Sequence, residues 1–151
     1  MKIIVDTNIV FSAIVNTSGT LGDLLLNSEK VFDFYAPGFL WHEIQKNRYK
    51  LKKISKLSDS ELVESEYFVT KYIHFISEEQ IPSRTWNRVQ KLLQDIDTKD
   101  TAFVALNNYL RGQLWTGDKK LLKGLRNKNY KRILTTSQML DIRRRKENKE
   151  K

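Results

Sequence analysis

The sequence Met1-Lys-Ile-Ile-Val-Asp-Thr-Asn8 begins the chain with a short apolar run that ends in a carboxylate. Ile3, Ile4 and Val5 are β-branched, which is typical of a buried strand in a parallel sheet. A charged side chain at the end of such a strand is costly unless it is paired or binds a metal ion. The segment therefore predicts a buried parallel strand over residues 2–6 that ends in a functional carboxylate, Asp6.

Segments typical of strands and of helices alternate along the rest of the chain. Further strands are predicted over residues 31–35, 113–116 and 132–134. Residues 73–77 fit either the end of a helix or a short strand. The alternation predicts an α/β fold, a three-layer α/β/α sandwich with a central parallel sheet of about four or five strands. We expect one domain over residues 1–142 and a charged, frayed tail over residues 143–151.

Local signals give the expected helix boundaries. Residues of the kind that cap helices occur at Asn8, Thr20-Leu-Gly-Asp23, Ser58-Asp-Ser-Glu61 and Thr135-Thr-Ser-Gln138. Helices are also predicted over residues 83–94, 99–110 and 118–126. Pro37-Gly38 is expected to open a helix that carries Glu43 and continues to Tyr49. The helix that begins near Ser58 is expected to be long and to have apolar positions as far as Ile73.

Composition limits the classes of function. The chain has 151 residues, a formal net charge of +9 and a pI of about 9.7, which suits a partner that is a polyanion. It has no cysteine, so disulfides, thiolate zinc sites and cysteine nucleophiles are excluded. No stretch approaches the roughly 20 apolar residues of a membrane span, and the N-terminus does not resemble a signal peptide. We therefore expect a cytoplasmic protein with no membrane partner.

Four carboxylates lie where a strand or turn is followed by a helix: Asp6, Glu43, Asp100 and Asp118. In a parallel α/β sheet the carboxyl ends of adjacent strands share one edge, where ligands bind. Acidic groups brought together there repel one another unless a cation joins them. Hard oxygen donors suit Mg²⁺ or Mn²⁺, so the pattern predicts a divalent metal site.

Each of these acids also has an ordinary structural explanation. Asp97 and Asp118 occupy positions where an aspartate caps a helix, and Asp100 falls at the third position of the helix that Asp97 begins. Glu43 fits a solvated helix face. For a single residue the structural and functional explanations both stay open; the order and contexts of the set are more specific.

The motifs together resemble those of PIN-domain proteins, of the kind found as VapC-like toxins and their relatives. Asp6-Thr7-Asn8 after a short apolar strand matches the opening motif of that family. Glu43 matches its second acidic position, and Asp97-Thr-Lys-Asp100 matches its third. Leu114-Trp-Thr-Gly-Asp118, with the hydroxyl residue Thr116, matches its fourth. The resemblance covers residues 1–142.

The resemblance implies a metal-dependent endoribonuclease, with Asp6, Glu43, Asp100 and Asp118 as catalytic metal ligands. Asp6 is expected to be the central ligand, and Asp97 a further ligand or a hydrogen-bond acceptor beside the metal. Asn8 and Thr116 are expected to hold the carboxylates or a water at the metal through hydrogen bonds. Lys119 and Lys120, next to the site, are expected to bind RNA phosphates.

The same resemblance implies partners. A VapC-like chain would be the toxin of a toxin–antitoxin pair, with an antitoxin protein as a possible partner. Relatives commonly form homodimers, and the helix expected over residues 58–73 is a plausible contact for one.

The sequence is also compatible with other functions. A haloacid-dehalogenase-like phosphatase would use Asp6 but normally needs a second aspartate two residues later, where this chain has Asn8. A receiver-like domain would carry its phosphoacceptor on a later strand. A nuclease-like fold that binds RNA or a partner protein without cutting is the main alternative, since spacing does not measure turnover.

Overall fold

The computed structural model describes residues 1–150, in which five parallel strands lie between layers of helices. The strands are β1 (Lys2–Val5), β2 (Asp33–Pro37), β3 (Ile73–Ile76), β4 (Gln113–Trp115) and β5 (Ile133–Leu134). Their order in the sheet is β3-β2-β1-β4-β5, and every neighbouring pair is parallel. The predicted α/β/α sandwich is confirmed, and the ambiguous segment after residue 72 is a strand.

Helices connect the strands and cover both faces of the sheet. They are α1 (Thr7–Val15), α2 (Thr20–Leu26), α3 (Phe39–Lys46), α4 (Arg48–Ser55), α5 (Asp59–Thr70), α6 (Ser83–Leu93), α7 (Thr101–Leu110), α8 (Lys119–Asn127) and α9 (Thr136–Lys149). Short 3₁₀ turns over Glu78–Gln80 and Thr98–Asp100 precede α6 and α7.

The central strand β1 is buried on both faces, as its sequence predicts. Ile3 and Val5 belong to one hydrophobic core together with Trp115, and Ile4 belongs to a second core together with Leu114. This division follows from the alternation of side chains along a strand. Val5 lies beside Trp115 in the register of β1 and β4. The two central strands therefore end at the same edge of the sheet, and the residues that follow them meet there.

Several predicted helix starts are wrong in detail. Asn8 lies inside α1 and does not cap it, because the Asp6 carboxylate already accepts a hydrogen bond from the Thr7 N–H. The capping box predicted at residues 20–23 is absent: Gly19 precedes α2, and no side chain caps that helix. The helix expected to reach Tyr49 breaks at Asn47, so Tyr49 lies on the separate helix α4.

The other two capping boxes are present. Ser58 and Glu61 cap α5, and Thr135 and Gln138 cap α9, each through reciprocal hydrogen bonds. The expectation of a frayed tail from residue 143 is wrong as far as Lys149, because α9 continues to that residue. Long-range contacts hold this helix, since Arg143 donates hydrogen bonds to Asp23 and Ser28.

Within residues 1–150, no single helix has the length and apolar character needed to cross a membrane. Only α1 and α2 taken together satisfy those two criteria, and they meet at an angle of 104°.

Candidate metal centre

The carboxyl ends of β1 and β4 bring two aspartates together through one hydroxyl group. Asp6 follows β1 and is 5% exposed. Its Oδ1 accepts a hydrogen bond from the Thr7 N–H at 2.8 Å, and its Oδ2 accepts one from the Thr116 hydroxyl at 2.6 Å. The same Thr116 oxygen accepts a hydrogen bond from the Asp118 N–H at 3.0 Å. Thr116 therefore fixes the Asp6 carboxylate and the backbone at Asp118 relative to each other.

Three carboxylates form one tight acidic cluster. One oxygen each of Asp97, Asp100 and Asp118 can be chosen so that all three lie within 4.8 Å of one another. Asp97 precedes the 3₁₀ turn before α7, Asp100 ends that turn, and Asp118 precedes α8. Asp97 and Asp100 lie in the connection that leads to β4, and Asp118 lies in the connection that follows β4. Both connections reach the edge of the sheet at which the neighbouring strands β1 and β4 end.

Helix capping explains two of the three aspartates in the cluster. The Asp97 side chain accepts a hydrogen bond from the Lys99 N–H, and the Asp118 side chain accepts from the N–H groups of Lys120 and Leu121. Asp100 makes no such bond. Its Oδ2 is buried and has no hydrogen-bond partner within residues 1–150. Helix capping therefore does not explain Asp100.

Asp100 and Asp118 line an open cavity of about 380 Å³. Its lining residues are Asp6, Thr7, Asn8, Phe39, Glu43, Lys99, Asp100, Phe103 and Asp118. Glu43, which is half-buried, enters from α3, so a second wall of the cavity carries a carboxylate too. Asp97 belongs to the tight cluster but does not line the cavity. The cavity thus collects the four carboxylates that the sequence singled out.

Burial and crowding make these acids hold protons more tightly than usual. The pKa of Asp100 is raised to about 7, first by burial and then by the charges of Asp6, Asp97 and Asp118, with Lys99 opposing the rise. The pKa of Asp6 is also raised, mainly by burial. Hydrogen bonds from Thr116 and Thr7 to Asp6 act in the opposite direction. Without a cation, full ionisation of the cluster is therefore unfavourable.

The donor set fits a hard divalent cation. Carboxylate oxygens are the donors that Mg²⁺ and Mn²⁺ prefer, and the buried unpaired Oδ2 of Asp100 is the kind of atom that a bound cation would satisfy. Each oxygen of Asp6 accepts one hydrogen bond and so keeps capacity for another partner. The tight cluster contains Asp100 rather than Asp6, which lies in the adjoining wall. The role of Asp6 as the central ligand therefore stays a prediction.

The remaining predicted site residues lie near the cavity in different ways. Asn8 is exposed on the cavity wall, and the hydrogen bonds of residues 1–150 do not join its side chain to a carboxylate. Lys119 and Lys120 are exposed on the first turn of α8, directly after Asp118. Lys99 was not singled out from the sequence, although its place between Asp97 and Asp100 is a signal that could have identified it.

Comparison with known proteins agrees with this architecture. The sequence model of the PIN domain matches residues 4–138. A similar solved structure is VapBC2 from Rickettsia felis bound to a DNA fragment from its promoter, with a TM-score of 0.68. The two chains are 14% identical, and the match covers 89% of this chain and 98% of the other. At this identity the likeness concerns the fold. No curated protein matches the chain.

Proposed function

This chain belongs to the PIN-domain family, and from that premise we propose that it is a divalent-metal-dependent endoribonuclease and the toxin of a toxin–antitoxin pair. One observation carries the proposal. The Asp100 carboxylate is buried among other acids, has an oxygen without a hydrogen-bond partner and takes no part in capping. Such a group is costly in a fold that never binds a cation, whereas it is what a metal-dependent hydrolase needs.

The chain's own residues have distinct roles in this proposal. Asp97, Asp100 and Asp118 hold Mg²⁺ or Mn²⁺, with Asp6 and Glu43 as donors from the adjoining walls. A bound divalent ion stabilises charge on the scissile phosphate and lowers the pKa of water. Thr116 supports the site by keeping the Asp6 carboxylate in one orientation.

Cations around the acidic cavity receive the RNA. Lys99 lines the cavity together with the carboxylates, and its positive charge favours binding of a phosphate. Lys119 and Lys120 extend this positive charge along the first turn of α8. The net charge of +9 favours approach of a polyanion despite the acidic site. We take RNA as the substrate and the cytoplasm as the place of action.

We also propose two protein partners. The fold is shared with a VapBC2 structure that was solved bound to promoter DNA, and this supports an antitoxin as a partner of the present chain. A homodimer is supported by apolar side chains that α5 leaves exposed, namely Val63, Tyr67 and Phe68. Leu62 and Val69, on the same helix, are buried in the core.

The test is cleavage of a mixed pool of labelled RNA in Mg²⁺, in Mn²⁺ and in EDTA. The parent should cleave only with metal. Asp6→Asn, Asp100→Asn and Asp118→Ala should abolish cleavage but leave RNA binding measurable, because phosphate contacts do not need the carboxylates. Asp33→Asn is the matched control, since Asp33 begins β2 at the opposite edge of the sheet. RNA binding by the parent without cleavage in either metal would favour a non-catalytic binding module.

Glu43→Gln is the most informative single variant, because Glu43 lies in the least specific motif and outside the tight cluster. Parental cleavage with an unchanged metal requirement would remove Glu43 from the site. Full activity in the Asp6 and Asp118 variants would overturn the nuclease proposal and point to a contaminating ribonuclease.

A further inference from the structure

A second cavity, of about 540 Å³, lies at the edge of the sheet opposite the acidic site. The positions of its lining residues identify the edge, because Arg111 follows α7 just before β4, and Arg132 immediately precedes β5. All of its charged lining residues are cations: Arg88, Arg111, Lys131 and Arg132. No aspartate or glutamate lines it, so it is the electrostatic opposite of the metal centre.

Hydrogen bonds hold the walls of this basic cavity in place. The Tyr130 hydroxyl accepts a hydrogen bond from the Asn107 side chain at 2.9 Å and donates one to Asn108 Oδ1 at 2.7 Å. Asn107, which is fully buried, also donates to the Arg132 carbonyl at 3.0 Å. The loop before β5 is therefore tied to the end of α7. The cations project from a built surface rather than from a loose loop.

The cations of the cavity have no acidic partners. Within residues 1–150, none of Arg88, Arg111, Lys131 and Arg132 takes part in a salt bridge. Like charges gathered in one cavity repel one another, and a bound anion relieves that repulsion. The arrangement therefore favours a ligand with negative charge.

The positive charge continues from the cavity along α6. Arg84, Arg88 and Lys91 follow the spacing i, i+4, i+7, which places them on one face of the helix, and all three are exposed. Val89 and Leu93 are buried on the opposite face. No acidic residue occurs within the helix.

The α6 face leads toward the metal centre. The chain leaves α6 after Leu93 and reaches Asp97 of the acidic cluster four residues later. Asp95, in this connection, is already paired with Lys128. The antiparallel partner α7 runs between the same two edges, from Asp100 to Arg111, and its ten residues span about 15 Å.

We propose that Arg84, Arg88, Lys91, Arg111, Lys131 and Arg132 form a basic track that binds the phosphate backbone of RNA beyond the bond that is cut. This inference rests on the proposed ribonuclease function. A track of about 15 Å is long enough to contact several phosphates of one RNA strand. A single small anion would use only part of a surface that extends over α6, the end of α7 and the loop before β5.

The experiment compares two triple variants that lose the same charge. The track variant is Arg84→Gln, Arg88→Gln and Lys91→Gln. The control is Arg145→Gln, Lys146→Gln and Lys149→Gln, on the exposed end of α9. Fluorescence anisotropy in EDTA would measure binding of single-stranded RNA of about 4 and about 20 nucleotides, lengths that bracket common single-strand site sizes. Circular dichroism would check that both variants are folded.

The track variant should lose about 10- to 100-fold in affinity for the longer RNA at 0.1 M salt. Three lost phosphate contacts should also reduce the slope of log affinity against log salt by about 2. The control variant should bind within about threefold of the parent, because it loses the same net charge but none of the phosphate contacts of the track. In the track variant, the preference for the longer RNA over the shorter one should largely disappear.

Equal losses of RNA affinity in the two variants would overturn the proposal of a basic track. So would displacement of the longer RNA by poly-glutamate at equal charge concentration, because that result would assign the surface to an acidic protein. The proposed function is tested separately by metal-dependent cleavage in the parent. If RNA binding depends on the track but the parent does not cleave RNA, the result would support the track and refute the ribonuclease function.

Discussion

Replacing Asp100 with asparagine should stabilise the metal-free protein at neutral and alkaline pH. The Asp100 carboxyl is 9% exposed, and its pKa is raised from 3.8 to about 7. The folded state therefore holds the proton more tightly than the unfolded chain does. Stability should fall as the pH rises from about 4, and the loss should be complete above about pH 7. Asparagine is neutral at every pH and avoids this loss.

The magnitude follows from the two pKa values. A change from 3.8 to about 7 corresponds to about 4 kcal/mol of unfolding free energy for a single group. Part of that cost is already present at pH 5, so the advantage of Asp100→Asn should grow by about 3 kcal/mol between about pH 5 and pH 8. For a domain of this size, that difference is about 6–12 °C in Tm.

Urea unfolding in EDTA, followed by tryptophan fluorescence at several pH values, measures this difference directly. Asp33→Asn is a suitable control, because its side chain is 61% exposed and lies far from the cluster. In millimolar Mg²⁺ the parent should gain stability through ligand linkage, and Asp100→Asn should lose most of that gain. A variant that is no more stable than the parent at pH 8, or equally advantaged at pH 5 and pH 8, would refute the argument from crowded buried carboxylates.

Three further predictions concern the surroundings of the site. Thr116→Val should lower the unfolding free energy by about 1–2 kcal/mol and raise the pKa of Asp6 further, because it removes the hydroxyl that donates to Asp6. Urea unfolding would detect the first effect and carboxyl NMR titration the second. Thr116→Ser, which keeps the hydroxyl, should have the stability and the Asp6 pKa of the parent. Lys119→Ala or Lys120→Ala should weaken RNA binding a few-fold and flatten its salt dependence by about 0.7–0.9 per lost phosphate contact, measured by anisotropy. Light scattering should give a dimer mass that Tyr67→Ala shifts toward the monomer, since Tyr67 is 64% exposed on α5; a concentration-independent monomer mass of the parent would contradict the homodimer.

The architecture was predictable because its signals are local. A β-branched run such as Ile3-Ile4-Val5 suits only a few environments, and its alternation with helical segments leaves few topologies. The acidic edge followed from the same pattern, because residues after parallel strands meet at one edge. The capping roles of Asp97 and Asp118 were likewise visible from their spacing, and both hydrogen-bond sets are present.

The features that the sequence did not predict depend on contacts between residues that are distant in sequence. The sequence left a helix-start role and a metal-binding role open for Asp100, whereas the 3₁₀ turn over Thr98–Asp100 leaves one carboxylate oxygen buried and without a hydrogen-bond partner. The part of α9 from Arg143 onward was expected to be a frayed tail, because the hydrogen bond from Arg143 to Asp23 joins residues 120 positions apart and leaves no local signal. The basic track combines three segments whose charges are unremarkable one at a time. None of these arrangements follows from local propensity.

Hydrolysis of RNA by water at a metal-loaded carboxylate site is the central proposal, and the chemistry of the product ends tests it directly. A purified RNA would be incubated with the parent protein in Mg²⁺, in Mn²⁺ and in EDTA, and the ends of the fragments identified by mass spectrometry. We expect cleavage only with metal, and fragments free of 2′,3′-cyclic phosphate, because the nucleophile is water and not the neighbouring 2′-hydroxyl. Cleavage that persists in EDTA and yields 2′,3′-cyclic phosphate ends would contradict it.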